Sequence, residues 1–109
     1  MLSFSEHLID KELCQLDEEL QEGLIKSLLS KLDDKKKKEI EGHVAKVKSE
    51  KDPKVLKTYA KHPHFAVRLA VARNKNTHPD DLKSFKSAPS EYKSVMSAAE
   101  NTLKSLSAA

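Results

Sequence analysis

The sequence predicts an all-α protein of six or seven helices. These form a short helical-repeat, solenoid-like array preceded by an N-terminal helical hairpin or one long helix. Three observations carry this. Apolar residues between Leu8 and Leu32 recur in steps of three and four, the spacing of a single helical stripe. Residues 52–74 and 78–101 are two copies of one proline-opened pattern. Aromatic residues make up only 5% of the chain and Trp is absent, so the core must be built from Leu, Val, Ile and Ala.

The bounds set by composition agree. A chain of 109 residues, 38% hydrophobic and 34% charged, is the size of one domain. We expect one compact unit, made of an acidic-then-basic helical segment over 1–50 and a repeat array with a capping helix over 51–109. No charge-free run exceeds six residues, so no membrane span is expected. The start, MLSFSEH, lacks the basic and apolar stretches of a secretory signal. The one cysteine, Cys14, excludes a disulfide framework and suits a reducing cytoplasm.

Taken in order, Ser3 and Glu6 have the spacing of a capping box. A helix is predicted from about residue 4 to about 32, bent or broken near Gly23, where backbone entropy disfavours helix. Its stripe (Leu8, Ile9, Leu13, Leu16, Leu20, Leu24, Ile25, Leu28, Leu29, Leu32) has two uses, as core or as the seam of a homodimer. Asp33 or Asp34 is a suitable N-cap for a second helix over 34–50. With only Ile40, Val44 and Val47 on its apolar side, that helix is expected on the surface or as a mobile connector.

The repeat is the most informative feature. At an offset of 26, Pro53 matches Pro79, Leu56 matches Leu82, Lys57 matches Lys83, Tyr59 matches Phe85 and Pro63 matches Pro89. After one inserted residue, Leu69 matches Met96, Ala72 matches Ala99 and Asn74 matches Asn101. A proline at the first helical position loses nothing by its missing N–H. The helix around Ala66–Ala72 is apolar almost all round, which predicts burial between neighbours. Asn74 should end it, since Asn tolerates the left-handed conformation and bonds nearby backbone. A final helix, about 90–106, presents Tyr92, Val95, Met96, Ala99, Leu103 and Leu106 on one side as a cap for the array.

Pro63, Val67, Arg68, Val71, Ala72, Asn74, Thr77, Pro79, Leu82 and Phe85 stand in the order Pro-x-x-x-Val-Arg-x-x-Val-Ala-x-Asn-x-x-Thr-x-Pro-x-x-Leu-x-x-Phe. This stretch resembles the leucine-rich repeat variant family and, more broadly, HEAT-like helical repeats, over residues 52–103. The second unit departs from the pattern, with Lys93 and Ser94 near the Val-Arg positions. The resemblance implies short helices stacked as a curved right-handed solenoid, with a binding surface more often than an active site. Some members carry an iron–sulfur cluster on a cysteine-rich segment, which a chain with Cys14 alone does not support.

Chemistry is sparse. His62-Pro63-His64 and His78 invite a metal, but His62 and His78 precede prolines at equivalent boundaries, where capping explains both, so no metal or other cofactor is expected. Acidic neighbours (Asp10, Glu12, Asp17, Glu18) oppose a Cys14 thiolate and predict a passive, partly buried thiol. Two glycines cannot build a phosphate loop, and Asp33-Asp34 and Asp80-Asp81 sit at helix starts, where the dipole uses them. A non-enzymatic role is expected.

Charge points to binding. Residues 1–34 carry three Lys against nine acids, and residues 35–109 carry 17 Lys and Arg against eight acids. The basic candidates are Lys57, Lys61, Arg68, Arg73, Lys75, Lys83 and Lys86, with Lys57 and Lys83 at equivalent positions. The leading expectation is a protein-binding module, an adaptor or inhibitor that engages an acidic protein partner. A phosphate-backbone contact to nucleic acid is the second, and self-assembly through the leucine stripe the third. Scarce aromatics and only two Arg weigh against base readout. For Arg68, pairing with a neighbouring carboxylate is the competing use.

Overall fold

The structure, a computed structural model, describes residues 4–87 and 91–108. Among these residues there are seven helices and no strand: α1 (Phe4–Gln15), α2 (Glu18–Leu29), α3 (Asp34–Ser49), α4 (Pro53–Tyr59), α5 (Phe65–Arg73), α6 (Pro79–Ser87) and α7 (Lys93–Ala108). The all-α reading therefore holds. None of these helices is long and apolar enough to cross a membrane.

The N-terminal stripe is divided, but not at Gly23. The chain leaves helix at Leu16, whose N–H reaches the Leu13 carbonyl at 3.2 Å, and restarts after Asp17. Asp17 is extended (φ −73°, ψ 173°) and its carboxylate accepts the Leu20 N–H at 3.0 Å. A side chain that can cap the next helix outcompetes one more turn of the old one. Gly23 lies inside α2 with open space around it, so its entropic cost is absorbed there. Ser3, half of the expected capping box, lies outside the described residues.

The other helix starts follow local chemistry. Asp33 caps α3 by accepting the Lys36 N–H at 2.9 Å, with Asp34 in the first turn. Asp52 caps α4 through the Lys54 N–H at 2.9 Å, ahead of Pro53. His78 does the same for α6, its Nδ1 accepting the Asp80 N–H at 3.1 Å ahead of Pro79. Thus Asp52 and His78, one repeat apart, make the same bond two residues on.

At its C-terminus α5 departs from expectation. Asn74 does cap it, but in an extended conformation (φ −81°, ψ 121°), and no described residue has a positive φ. Its amide is used at longer range. Nδ2 donates to the carbonyls of Val47 (2.8 Å) and Glu50 (2.9 Å), closing the end of α3, while Oδ1 accepts the Asn76 N–H. The α5 carbonyls of Val71 and Ala72 are instead satisfied by the hydroxyls of Thr77 (2.7 Å) and Thr102 (2.6 Å). Asn101, the repeat counterpart of Asn74, sits exposed within α7.

Helix α5 is the centre of the molecule. Its residues from Phe65 to Ala72 are buried except Arg68, and it packs against α3, α4 and α7. Helix α7 in turn packs against α1 and α6. Leu56 and Leu82 are both fully buried. Tyr59 and Phe85 differ: Phe85 is buried, whereas Tyr59 is half-buried with its ring 5.4 Å from that of His43 on α3.

The core crosses the boundary at residue 50, since Leu13, Ile25, Leu29, Ile40 and Val47 join Leu56, Leu69, Val71, Leu82 and Val95 in one cluster. Most of the leucine stripe is thus core, while Leu8 and Leu20 remain half-exposed. Helix α3 is more firmly seated than a mobile connector, because burial of Ile40 and Val47 is reinforced by the Asn74 bonds. Helix α2 is the exception. Its backbone lies farther from its neighbours, and it docks chiefly through Ile25 and Leu29.

Candidate functional site

The predicted basic residues fall into two groups. Lys57 on α4 and Lys83 on α6 each follow a fully buried leucine, so both point off the core. Lys61, Lys75 and Lys86 are also exposed, and among the described residues none of these five lysines forms an ion pair. Lys57 and Lys83 are 26 residues apart, at matching registers on the helices that pack against α5 and α7 respectively.

The two arginines are built into the fold. The Arg68 side chain is 17% exposed and that of Glu91 is 7% exposed. Arg68 Nε donates to both Glu91 oxygens at 2.9 and 3.2 Å, and Nη2 adds a third contact at 3.1 Å. Nη1 donates to the carbonyls of His62 and Pro63, each at 2.8 Å. This is the carboxylate pairing weighed against a surface role, although the sequence does not single out Glu91. Arg73 donates to the Gln21 carbonyl oxygen, and the same amide donates to the Leu13 carbonyl, so Gln21 ties the end of α1 to α5 through α2.

The histidines gather where α3 meets the turn before α5. His64 caps α5, its Nδ1 accepting the Ala66 N–H at 3.1 Å. His62 Nδ1 accepts the His64 N–H at 3.0 Å. The neutral His62 ring therefore carries its proton on Nε2, which lies 3.2 Å from His43 Nδ1 and donates to it. These bonds join the His43 and His62 rings to each other and to the backbone N–H of His64.

The pKa values of His62 and His64 lie below the ordinary 6.5, first because of burial. Neighbouring positive charge adds to this, from His43 and Arg68 at His62 and from His62 and Arg68 at His64, with Glu39 opposing it at His62. The sign follows. Above pH 6.5 both rings are neutral in either state and the fold keeps its full stability. Below it the unfolded chain takes up protons that the folded rings refuse, so stability falls until the folded values are passed.

Tm should therefore fall as the pH is lowered through and below 6.5. His64→Asn keeps an acceptor for the Ala66 N–H but cannot titrate, and should flatten part of this slope. Thermal melts across this pH range check it, and a wild-type Tm that does not move would refute it.

Cys14 is exposed, against the expectation of a partly buried thiol. Its ordinary value of 9.0 is raised, first by the cover its sulfur does have and then by Asp10, whose carboxylate lies 3.8 Å away. That opposes a reactive thiolate, and only Asp10 among the acidic neighbours supplies it.

The sequence did not reveal a groove. Helices α2, α3 and α5 border a half-open groove of about 500 Å³ lined by Ile25, Leu29, Val44, Ala66, Leu69 and Ala70, with Glu22, Lys26, Glu41, Lys48 and Arg73 also along it. Lys48 donates to Glu22 across it. The alternation of small and large apolar residues on α5 was the available signal, but the position of α2 decides whether it forms a groove or a filled core.

Compared with protein-family models, curated proteins and solved structures, the chain finds no match.

Proposed function

We propose that this chain is a binding module rather than a catalyst, and that it engages an acidic protein surface through the lysines of α4 and α6. The observation that carries this is the pair Lys57 and Lys83. Each is exposed, each lacks a carboxylate partner among the described residues, and the two sit at matching registers. Lys61, Lys75 and Lys86 extend the charge. Arg68 and Arg73 hold the scaffold together and do not belong to this surface.

The same reading treats α4–α5 and α6–α7 as two tandem units of the leucine-rich repeat variant or HEAT-like kind, forming a short solenoid-like array. It is supported by the shared caps at Asp52 and His78, the shared burial of Leu56 and Leu82, and the packing of α5 on α7. The non-catalytic part is supported by the histidine Nδ1 atoms at positions 62, 64 and 78, which all accept backbone N–H groups, and by the raised thiol of Cys14.

Fluorescence anisotropy with a glutamate-rich peptide and with a mixed-sequence DNA duplex, at two salt concentrations, tests it. Lys57→Glu with Lys83→Glu should weaken peptide binding about tenfold or more, about 1.4 kcal/mol, while helical CD is unchanged. Unchanged affinity overturns the assignment. Tighter duplex binding with a steep salt slope would replace an acidic protein by a phosphate backbone.

A further inference from the structure

We propose that the His43–His62 ring pair is an acid-sensitive joint, which holds the α4–α5 turn on α3 while the rings are neutral and releases it when they are charged. Few polar contacts bridge these segments. Among the described residues, the polar and ring contacts from α3 to residues 53–64 run from His43 to Tyr59 and His62, and from Lys46 to Tyr59. Within α4 only Leu56 is buried, so the far end of that helix leans on them.

Proton placement makes the joint sensitive. His43 Nδ1 and His62 Nε2 stand 3.2 Å apart, and His62 Nδ1 accepts the His64 N–H at 3.0 Å. With both rings neutral, one proton on His62 Nε2 satisfies the first contact and a bare Nδ1 satisfies the second. No placement of one added proton keeps both bonds. On His43 Nδ1 it faces the His62 N–H, and on His62 Nδ1 it faces the His64 N–H. Moving the His62 proton between its nitrogens only changes which bond is lost. A second added proton breaks both bonds and sets two cations side by side, with ring centroids 5.2 Å apart in the neutral pair.

The surroundings oppose that charge. On α3, Glu39 stands one turn before His43, and the Lys46 ammonium lies 5.9 Å from the centre of the Tyr59 ring. On α5, the Arg68 guanidinium donates to the His62 carbonyl at 2.8 Å and pairs with Glu91. Tyr59 of α4, with Lys61 and His64 of the turn, completes the set. Burial, His43 and Arg68 oppose a charged His62 ring, and among the side chains Glu39 favours it. Opening therefore belongs to the acid side of the ordinary histidine range. Helix α4 and its turn carry Lys57 and Lys61, so acid would move that part of the lysine surface. The joint itself does not depend on what those lysines bind.

NMR of the full chain from about pH 8 to about pH 5 tests this. At the upper end, Overhauser contacts from the His43 ring to the rings of Tyr59 and His62 are expected. At the lower end these should be lost, while those between Phe65 and Tyr92, stacked at 4.5 Å, persist. His43→Gln keeps a neutral acceptor for the His62 N–H. In that variant the His62 ring and the His64 amide should still titrate, but contacts from residue 43 to Tyr59 should survive in acid. Wild-type contacts that persist to about pH 5 would overturn the proposal. So would their loss only together with the Phe65–Tyr92 contacts, or an equal loss in His43→Gln.

Discussion

Replacing Arg68 with Ala should destabilise the fold by about 3–5 kcal/mol, because it leaves the Glu91 carboxylate buried and without its counter-charge. The Glu91 side chain is only 7% exposed, and among the described residues Arg68 makes three contacts with it and the Tyr92 N–H another at 2.9 Å. The same guanidinium ends the free carbonyls of His62 and Pro63. One side chain thus fastens α5 to the turn before it and to the segment leading into α7.

Arg68→Lys should recover little, since an ammonium cannot present the planar fork that spans both oxygens and two carbonyls. The double variant with Glu91→Ala should cost less than the sum of the single changes, because it removes the stranded charge along with its partner. Urea unfolding measures all three. A loss below about 1 kcal/mol for Arg68→Ala would show the pair to be a solvated contact. The Lys57→Glu and Lys83→Glu changes serve as contrast, since they should alter binding and leave the urea midpoint in place.

Asp10→Ala should cost about 3 kcal/mol and lower Tm by about 10 °C or more. Asp10 is 3% exposed, and its carboxylate accepts the N–H groups of Lys93 at 2.6 Å and Ser94 at 2.9 Å, the first two residues of α7. A helix start leaves such N–H groups unpaired and carries positive partial charge, so a carboxylate there satisfies both at once. The cap comes from α1, more than eighty residues earlier in the chain. Its loss strands two donors and frees α1 from α7.

Asp10→Asn should keep one acceptor and lose about half as much. Amide exchange at Lys93 and Ser94 should accelerate in both variants. Protection that survives in Asp10→Ala would mean that another group closes the helix.

Much of the architecture was legible because its causes lie within a few residues of their effects. Asp33 and Asp52 reach N–H groups two or three residues on, and Pro53 and Pro79 open α4 and α6 where the repeat places them. The apolar run in α5 required neighbours on all sides and has them. Local reasoning failed where two local signals competed. Gly23 looked like the weak point of the first helix, but Asp17 broke it by offering a cap, and Asn74 used its amide on α3 rather than a left-handed turn.

The candidate sites divide along the same line. The exposed lysines could be chosen from the sequence because a charge next to a buried leucine has one side of the helix left to it. By itself the sequence determined the helical class, most helix starts, and which residues must be inside. Tertiary structure alone decided that Asp10 meets α7, that Arg68 meets Glu91, that the His43 ring meets that of His62, and that α2 stands off far enough to leave a groove. Caps and stripes act over one or two turns of chain. Those other contacts join groups brought within 3–4 Å only once the helices have packed, at distances that no spacing along the chain encodes.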